Sequence, residues 1–226
     1  MRDVMIAGAL LGALHGSMMP VMAGEDKITK GYHTMDAMGC MLLQECTNGV
    51  QQIKSSEDLR KAFPDSDWSP VADEFDKIMK SFSQIGTNVY LADPKYFPPG
   101  HRGVYHTVSN HFYLNKDHVH RPHILMSVTR HEGWHAAQDC MAGTIKNNMI
   151  AIIMPEESVP MIWRTMAERT YPPHAVPWEA EAGWAGRTEN MTQKALDSCA
   201  RGTMWTDYDP TPMTREWLEE NGFLSK

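Results

Sequence analysis

The chain has 226 residues, 42% of them hydrophobic and 22% charged, which is enough apolar material for a full core and excludes a disordered chain. The net charge is −7 and no Lys/Arg block occurs, so a nucleic-acid partner is excluded as well. The 18 methionines follow the apolar stripes and are expected to fill the core.

The N-terminus reads as an export signal. Arg2 gives a short positive start, Val4 to Leu14 an apolar stretch, Pro20 a breaker and Val21-Met22-Ala23 a small-residue cleavage site. The competing reading is an ordinary first helix of the domain. The stretch falls short of the ~20 apolar residues a membrane span needs, so no stable membrane insertion is expected. The expected organisation is a signal peptide at 1–23, a single domain at 24–226, and a secreted or periplasmic location. Four cysteines, Cys40, Cys46, Cys140 and Cys199, then suggest two disulfides, with all three pairings open. A Cys40–Cys46 bridge requires that any helix carrying Cys40 end before Cys46.

Thr34 can cap a helix to about Cys46, with Met35, Met38, Met41 and Leu42 at helical spacing. A short helix opens at Ser55-Ser56-Glu57-Asp58 and runs through Phe63. Ser69-Pro70 opens another, from about Val71 to Phe82, stopped near Gly86. Asn88 to Leu91 and Gly103 to Leu114 then turn rich in Val, Tyr, Thr and Phe, with prolines between them. They predict strands of a small antiparallel sheet. Pro122 starts a helix to Met141 with Gly143 as its stop. A second long helix is expected from Pro177 to Gly202, and a last short one from Thr214. The expected class is α+β, mostly helical.

The Pro122 helix carries His131-Glu132-Gly133-Trp134-His135. Two histidines at i and i+4 leave one helix face together and can converge on a zinc ion. Glu132 then lies beside the metal, placed to take a proton from a bound water. Val128-Thr129, Gly133-Trp134 and Ala136-Ala137 keep the surroundings uncharged. Arg130 alone is charged, at a position free to point outward. A zinc site needs a third protein ligand. Glu179 and Glu181 are the candidates, set among Ala180, Ala182, Gly183, Ala185 and Gly186, which allow close helix packing. Two residues apart, they lie about 200° around the helix, so only one can face the metal.

His131-Glu132-x-x-His135 followed by a Glu-x-x-Ala helix resembles the gluzincin branch of the zincin metallopeptidases, over roughly 105–187. It is similar in particular to small secreted metallopeptidases with a His-Glu-Gly-x-His-x-x-Gln core. The resemblance implies a zincin-like fold with the sheet packed on the motif helix, and a peptide or protein substrate. It also implies zinc held by His131, His135 and Glu179, with Glu132 as base. Glu179 is preferred to Glu181 because Glu179-x-x-Ala182 has the family's spacing; Glu181 is then expected to face solvent or an arginine such as Arg187. Gly183 departs from the family, which often has Asp there to support a ligand histidine. Asp139, four residues after His135, is a candidate replacement, with Arg187 as its other possible partner. An edge strand above the metal is also implied, and Ser109 to Leu114 is the candidate. His101, His106, His111, His118, His120 and His123 match no metal-ligand spacing and are assigned to surface and turn positions. Tyr171 and His174 are candidates for stabilising an oxyanion. Two other functions compete: a deformylase-type zinc amidase with Cys40 as ligand, and a secreted or virion-associated binding protein with a structural zinc site.

Overall fold

The structure, a computed structural model, describes residues 36–143 and 148–225. The expected signal segment and the proposed cap Thr34 lie outside the described residues. Among these residues the helices are α1 (Ala37–Leu42), α2 (Ser56–Ala62), α3 (Ala72–Ile85), α4 (Pro122–Met141), α5 (Met161–Thr170), α6 (Val176–Ala185), α7 (Met191–Arg201), α8 (Met204–Asp207) and α9 (Pro212–Glu220). The strands are β1 (Val50–Ile53), β2 (Asn88–Ala92), β3 (Gly103–His106) and β4 (His111–Asn115). The class is α+β, as expected.

Local chemistry accounts for most boundaries. Asp36 caps α1 by accepting from the Gly39 N–H. The helix ends at Leu42, and the turn back lets Cys46 bridge to Cys40. In α3, Phe75, Ile78, Met79, Phe82 and Ile85 recur at helical spacing and are all buried, while Gly86 closes it at φ +79. Pro122 occupies the first turn of α4, where its missing N–H costs nothing.

The sheet has the order β1-β2-β4-β3 and is mixed rather than antiparallel throughout. β3 and β4 form an antiparallel pair, and β4 lies parallel to β2, pairing Val89 with Phe112. All of β4 is buried. Phe112 and Leu114 face the main core, and Tyr113 faces a smaller one with Met41, Ala92, Tyr96 and Phe97. His111 is therefore not a surface residue: it is 4% exposed, within reach of the Tyr113 hydroxyl. β1 was not expected, because Gln51 and Gln52 are exposed and only Ile53 is buried.

The expected long helix from Pro177 to Gly202 is two helices. α6 stops at Ala185, and Asn190 takes a left-handed conformation (φ +60) while its N–H donates to Glu74. α5 also escaped the sequence reading, since Met161, Ile162 and Met166 are exposed and blur its apolar stripe. Arg130 points not to solvent but to Glu74, as a bidentate pair at 2.8 and 2.5 Å with both side chains mostly buried. That pair ties α4 to α3. α7 approaches α4 over Gly133, where a Cβ would lie 2.8 Å from Thr192 Cγ2.

Cys140 and Cys199 lock α4 to α7 across a sequence separation of 59 residues. A loop of that length confines the unfolded chain by about 4 kcal/mol. Replacing Cys140 and Cys199 together by Ser should lower the free energy of urea-induced unfolding by about that amount. A loss below about 1 kcal/mol would mean that α4 and α7 stay docked without help from the bridge.

Candidate metal centre

α6 packs against α4 through small residues. Ala182 and Ala185 are fully buried, and a Cβ on Gly186 would sit 3.0 Å from the Ser127 carbonyl and 3.3 Å from His131 Cβ. This approach delivers Glu179, in the first turn of α6, onto the histidine face of α4. Glu179 Oε2 lies 3.3 Å from His131 Nε2, and Oε1 lies 3.6 Å from His135 Nε2. One ligand atom from each of the three residues falls within 4.8 Å of the others, so the group can hold a metal ion.

The donor set fits such an ion. Two donors each about 2.1 Å from a four-coordinate cation stand about 3.4 Å apart, close to both observed separations. Glu179 Oε2 is buried without a hydrogen bond, a cost that a coordinated cation removes.

Without a metal the three residues form a proton-sharing cluster. Burial pulls the pKa of His135 down, but the hydrogen bond and charge of Glu179, the charge of Glu132 and a bond to Gln138 outweigh it, leaving it at about 9. Burial pushes Glu179 up, but the two histidines prevail and hold its carboxyl well below the usual range.

Glu132 lies beside the cluster, and its Oε2 accepts the Tyr105 N–H at 2.9 Å. In the β3–β4 pair, Arg102 O accepts from Asn115 N, so the backbone groups of Gly103 and Tyr105 alternate toward the free edge. The edge strand beside the site is thus β3. The expected Ser109–Leu114 strand is internal, because β4 has partners on both sides. A Cβ on Gly103 would press on Val128 and Glu132, at 2.7 and 3.2 Å, so glycine sets the closeness of strand and motif helix.

A groove of about 580 Å³ opens here, lined by Arg102, Gly103, His131, Glu132 and Tyr171 among others. Burial first, then the charges of Glu179 and Glu132, push the Tyr171 phenol well above its ordinary value, so it stays a donor near neutrality. His174 is exposed in the 3-10 turn Pro173–Ala175 and is not among the groove's lining residues.

Three expectations about the surroundings are corrected. Glu181 faces neither the histidines nor solvent: it is 1% exposed and accepts from Trp134 Nε1, Gln138 Nε2 and the N–H groups of Ile153 and Met154. Burial raises its pKa and those bonds oppose the rise. Arg187 is exposed. Among the described residues Asp139 accepts from the Tyr105 hydroxyl at 2.9 Å rather than from a ligand histidine. Gln138 supports one instead, with Oε1 2.8 Å from His135 Nδ1. Its place three residues after His135 on one helix face was the available signal. Cys40 is bridged to Cys46 and cannot be a metal ligand, which removes the deformylase-type alternative.

Comparison with known protein families, curated proteins and solved structures gave no match.

The cluster's pH response in metal-free protein follows from its two shifts. His135 is raised, so its contribution to stability is complete below its ordinary 6.5 and is lost as pH rises through about 9. Glu179 is lowered, so its contribution is complete above its ordinary 4.5 and is lost as pH falls through its folded value. Metal-free protein should therefore lose thermal stability between pH 6.5 and 9, and Glu179→Gln should flatten that slope. The same slope in both proteins would assign the loss to other groups.

Proposed function

We propose that this chain is an exported zinc metallopeptidase that hydrolyses peptide bonds, with His131, His135 and Glu179 as metal ligands and Glu132 as general base. The observation that carries the reading is the meeting of these three donors, with His131 and Glu132 also lining the groove beside the free edge of β3. The residues also resemble the gluzincins, whose ligand set has this composition. Two disulfides support export, and no helix among the described residues is long and apolar enough to cross a membrane.

A bound zinc ion would supply a Lewis acid and lower the pKa of a coordinated water toward about 7. The protein's own groups do the rest. Glu132 accepts the water's proton on the carboxylate that Tyr105 N–H holds in place, and later returns it to the leaving amine. The free edge, from Gly103 to the carbonyl of Tyr105, aligns an extended peptide by main-chain hydrogen bonds. Tyr171, kept protonated, donates to the oxygen on which charge develops. The groove's opening beside His131 and Glu132 favours this reading over a closed structural zinc site, which has no use for a base at its mouth.

Metal analysis and a peptide-library assay on wild type and Glu132→Gln test the proposal. The variant should keep its zinc and lose about 10²–10⁴-fold in kcat/KM. Zinc binding with no hydrolysis by wild type would leave a binding protein with a structural site. Equal turnover by both proteins would remove Glu132 as the base. Replacing Tyr171 by Phe should cut kcat by about 10²-fold, with KM little changed, if its hydroxyl donates only to the developing charge.

A further inference from the structure

Behind the ligands lies a second buried carboxylate, Glu181, whose purpose the reaction leaves open. It lies two residues after Glu179 on the far side of α6, and its partners among the described residues are neutral N–H groups. Trp134 Nε1 and Gln138 Nε2 donate to its Oε2 at 3.0 and 2.8 Å. Ile153 N donates at 3.0 and 3.1 Å to its two oxygens, and Met154 N to Oε1 at 2.6 Å.

We propose that Glu181 and Gln138 are positioning residues that fix the tautomer and ring orientation of the metal ligand His135. This inference rests on the metal reading of the site. The logic is one of donors and acceptors. Both oxygens of Glu181 are occupied by donors, so whatever faces them must be an N–H. Gln138 therefore presents its amide nitrogen to Glu181, and the same nitrogen also donates to the Trp178 carbonyl at 3.2 Å. Turned the other way, the amide would set its oxygen against a carboxylate and a carbonyl at once. With the nitrogen committed, Oε1 must face His135 Nδ1, at 2.8 Å. An amide oxygen only accepts, so Nδ1 carries the hydrogen, and in the neutral ring Nε2 keeps its lone pair for the metal position shared with His131 and Glu179.

The chain of bonds thus runs from the Ile153 and Met154 N–H groups through Glu181 and Gln138 to His135. Each link has one permitted direction.

The test measures zinc affinity of the full chain by competition with a chromophoric chelator, with metal-free thermal midpoints as control. Gln138→Leu fills similar space without the bonds and should bind zinc about 10–100-fold more weakly, with a lower metal-free midpoint but a cooperative transition that shows the fold is kept. Gln138→Glu, sharing one proton with Glu181 through its O–H, keeps a donor toward Glu181 and an acceptor oxygen toward His135, and should recover the affinity. Long-range proton–nitrogen NMR should find the hydrogen of His135 on Nδ1 in zinc-loaded wild type and in Gln138→Glu. Wild-type affinity in Gln138→Leu overturns the inference and leaves the metal site standing. An affinity that Gln138→Glu does not recover also overturns it, since packing alone would then explain the loss; this arm decides the matter if Gln138→Leu does not fold. Failure of wild type to bind zinc would overturn the metal reading and this inference with it.

Discussion

The close approach of α6 to α4 is the constraint on which the site depends. Two histidines on one helix face cannot by themselves satisfy a cation; the third donor must come from a separate element held within a few ångströms. Ala182, Ala185 and Gly186 permit that distance, and Gly186 meets the backbone of Ser127 so closely that even a methyl group would press on it. A larger side chain there would push α6 away and carry Glu179 with it. The other contacts of α4 work to the same end. Glu74 anchors Arg130, Thr192 packs on Gly133, and the Cys140–Cys199 bridge fastens the helix end. A rigid α4 makes the spacing of its ligands a fixed quantity rather than an average.

Four carboxylates surround α4 near the site, and their partners separate them. Glu179 meets two histidine nitrogens and has a buried oxygen without a hydrogen bond, which suits a cation. Glu132 receives one backbone N–H and lines the groove, so part of it stays free for a proton. Glu181 is saturated by neutral donors, and Asp139 takes the Tyr105 hydroxyl. The same functional group thus serves in different ways because the number and kind of its donors differ.

What the sequence disclosed was the chemistry whose geometry lies within one helix. The spacing of His131, Glu132 and His135 needs only the helical repeat, so both the motif and the bounds of α4 were legible. Glu179 was legible as one of a pair, and the opposite facing of Glu181 followed from the same repeat. Its destination did not, because Ile153 and Met154 come from a segment with no periodic pattern. Strand order was hidden for a similar reason. Alternation shows that His111–Asn115 is a strand, yet only the pairing with β2 makes it internal and leaves β3 at the edge. The break between α6 and α7 escaped because no proline marks it, while the left-handed turn at Asn190 is a local backbone event.

Tyr105 joins the strand edge to the motif helix at two points, and this bears on how a substrate would meet the base. Its N–H holds Glu132 and its hydroxyl holds Asp139, seven residues further along α4. The residue therefore spans about two turns of the helix and fixes β3 against it in both position and slope. Under the proposed function, an extended peptide would pair with the same strand whose N–H orients the base. Register between the bound backbone and Glu132 is then set by a single residue rather than by two elements that move independently. Gly103, two residues earlier, keeps the strand near enough for that bond to form. Substrate alignment and proton transfer thus share one mechanical reference, which is the arrangement that a reaction needing a near-attack geometry requires.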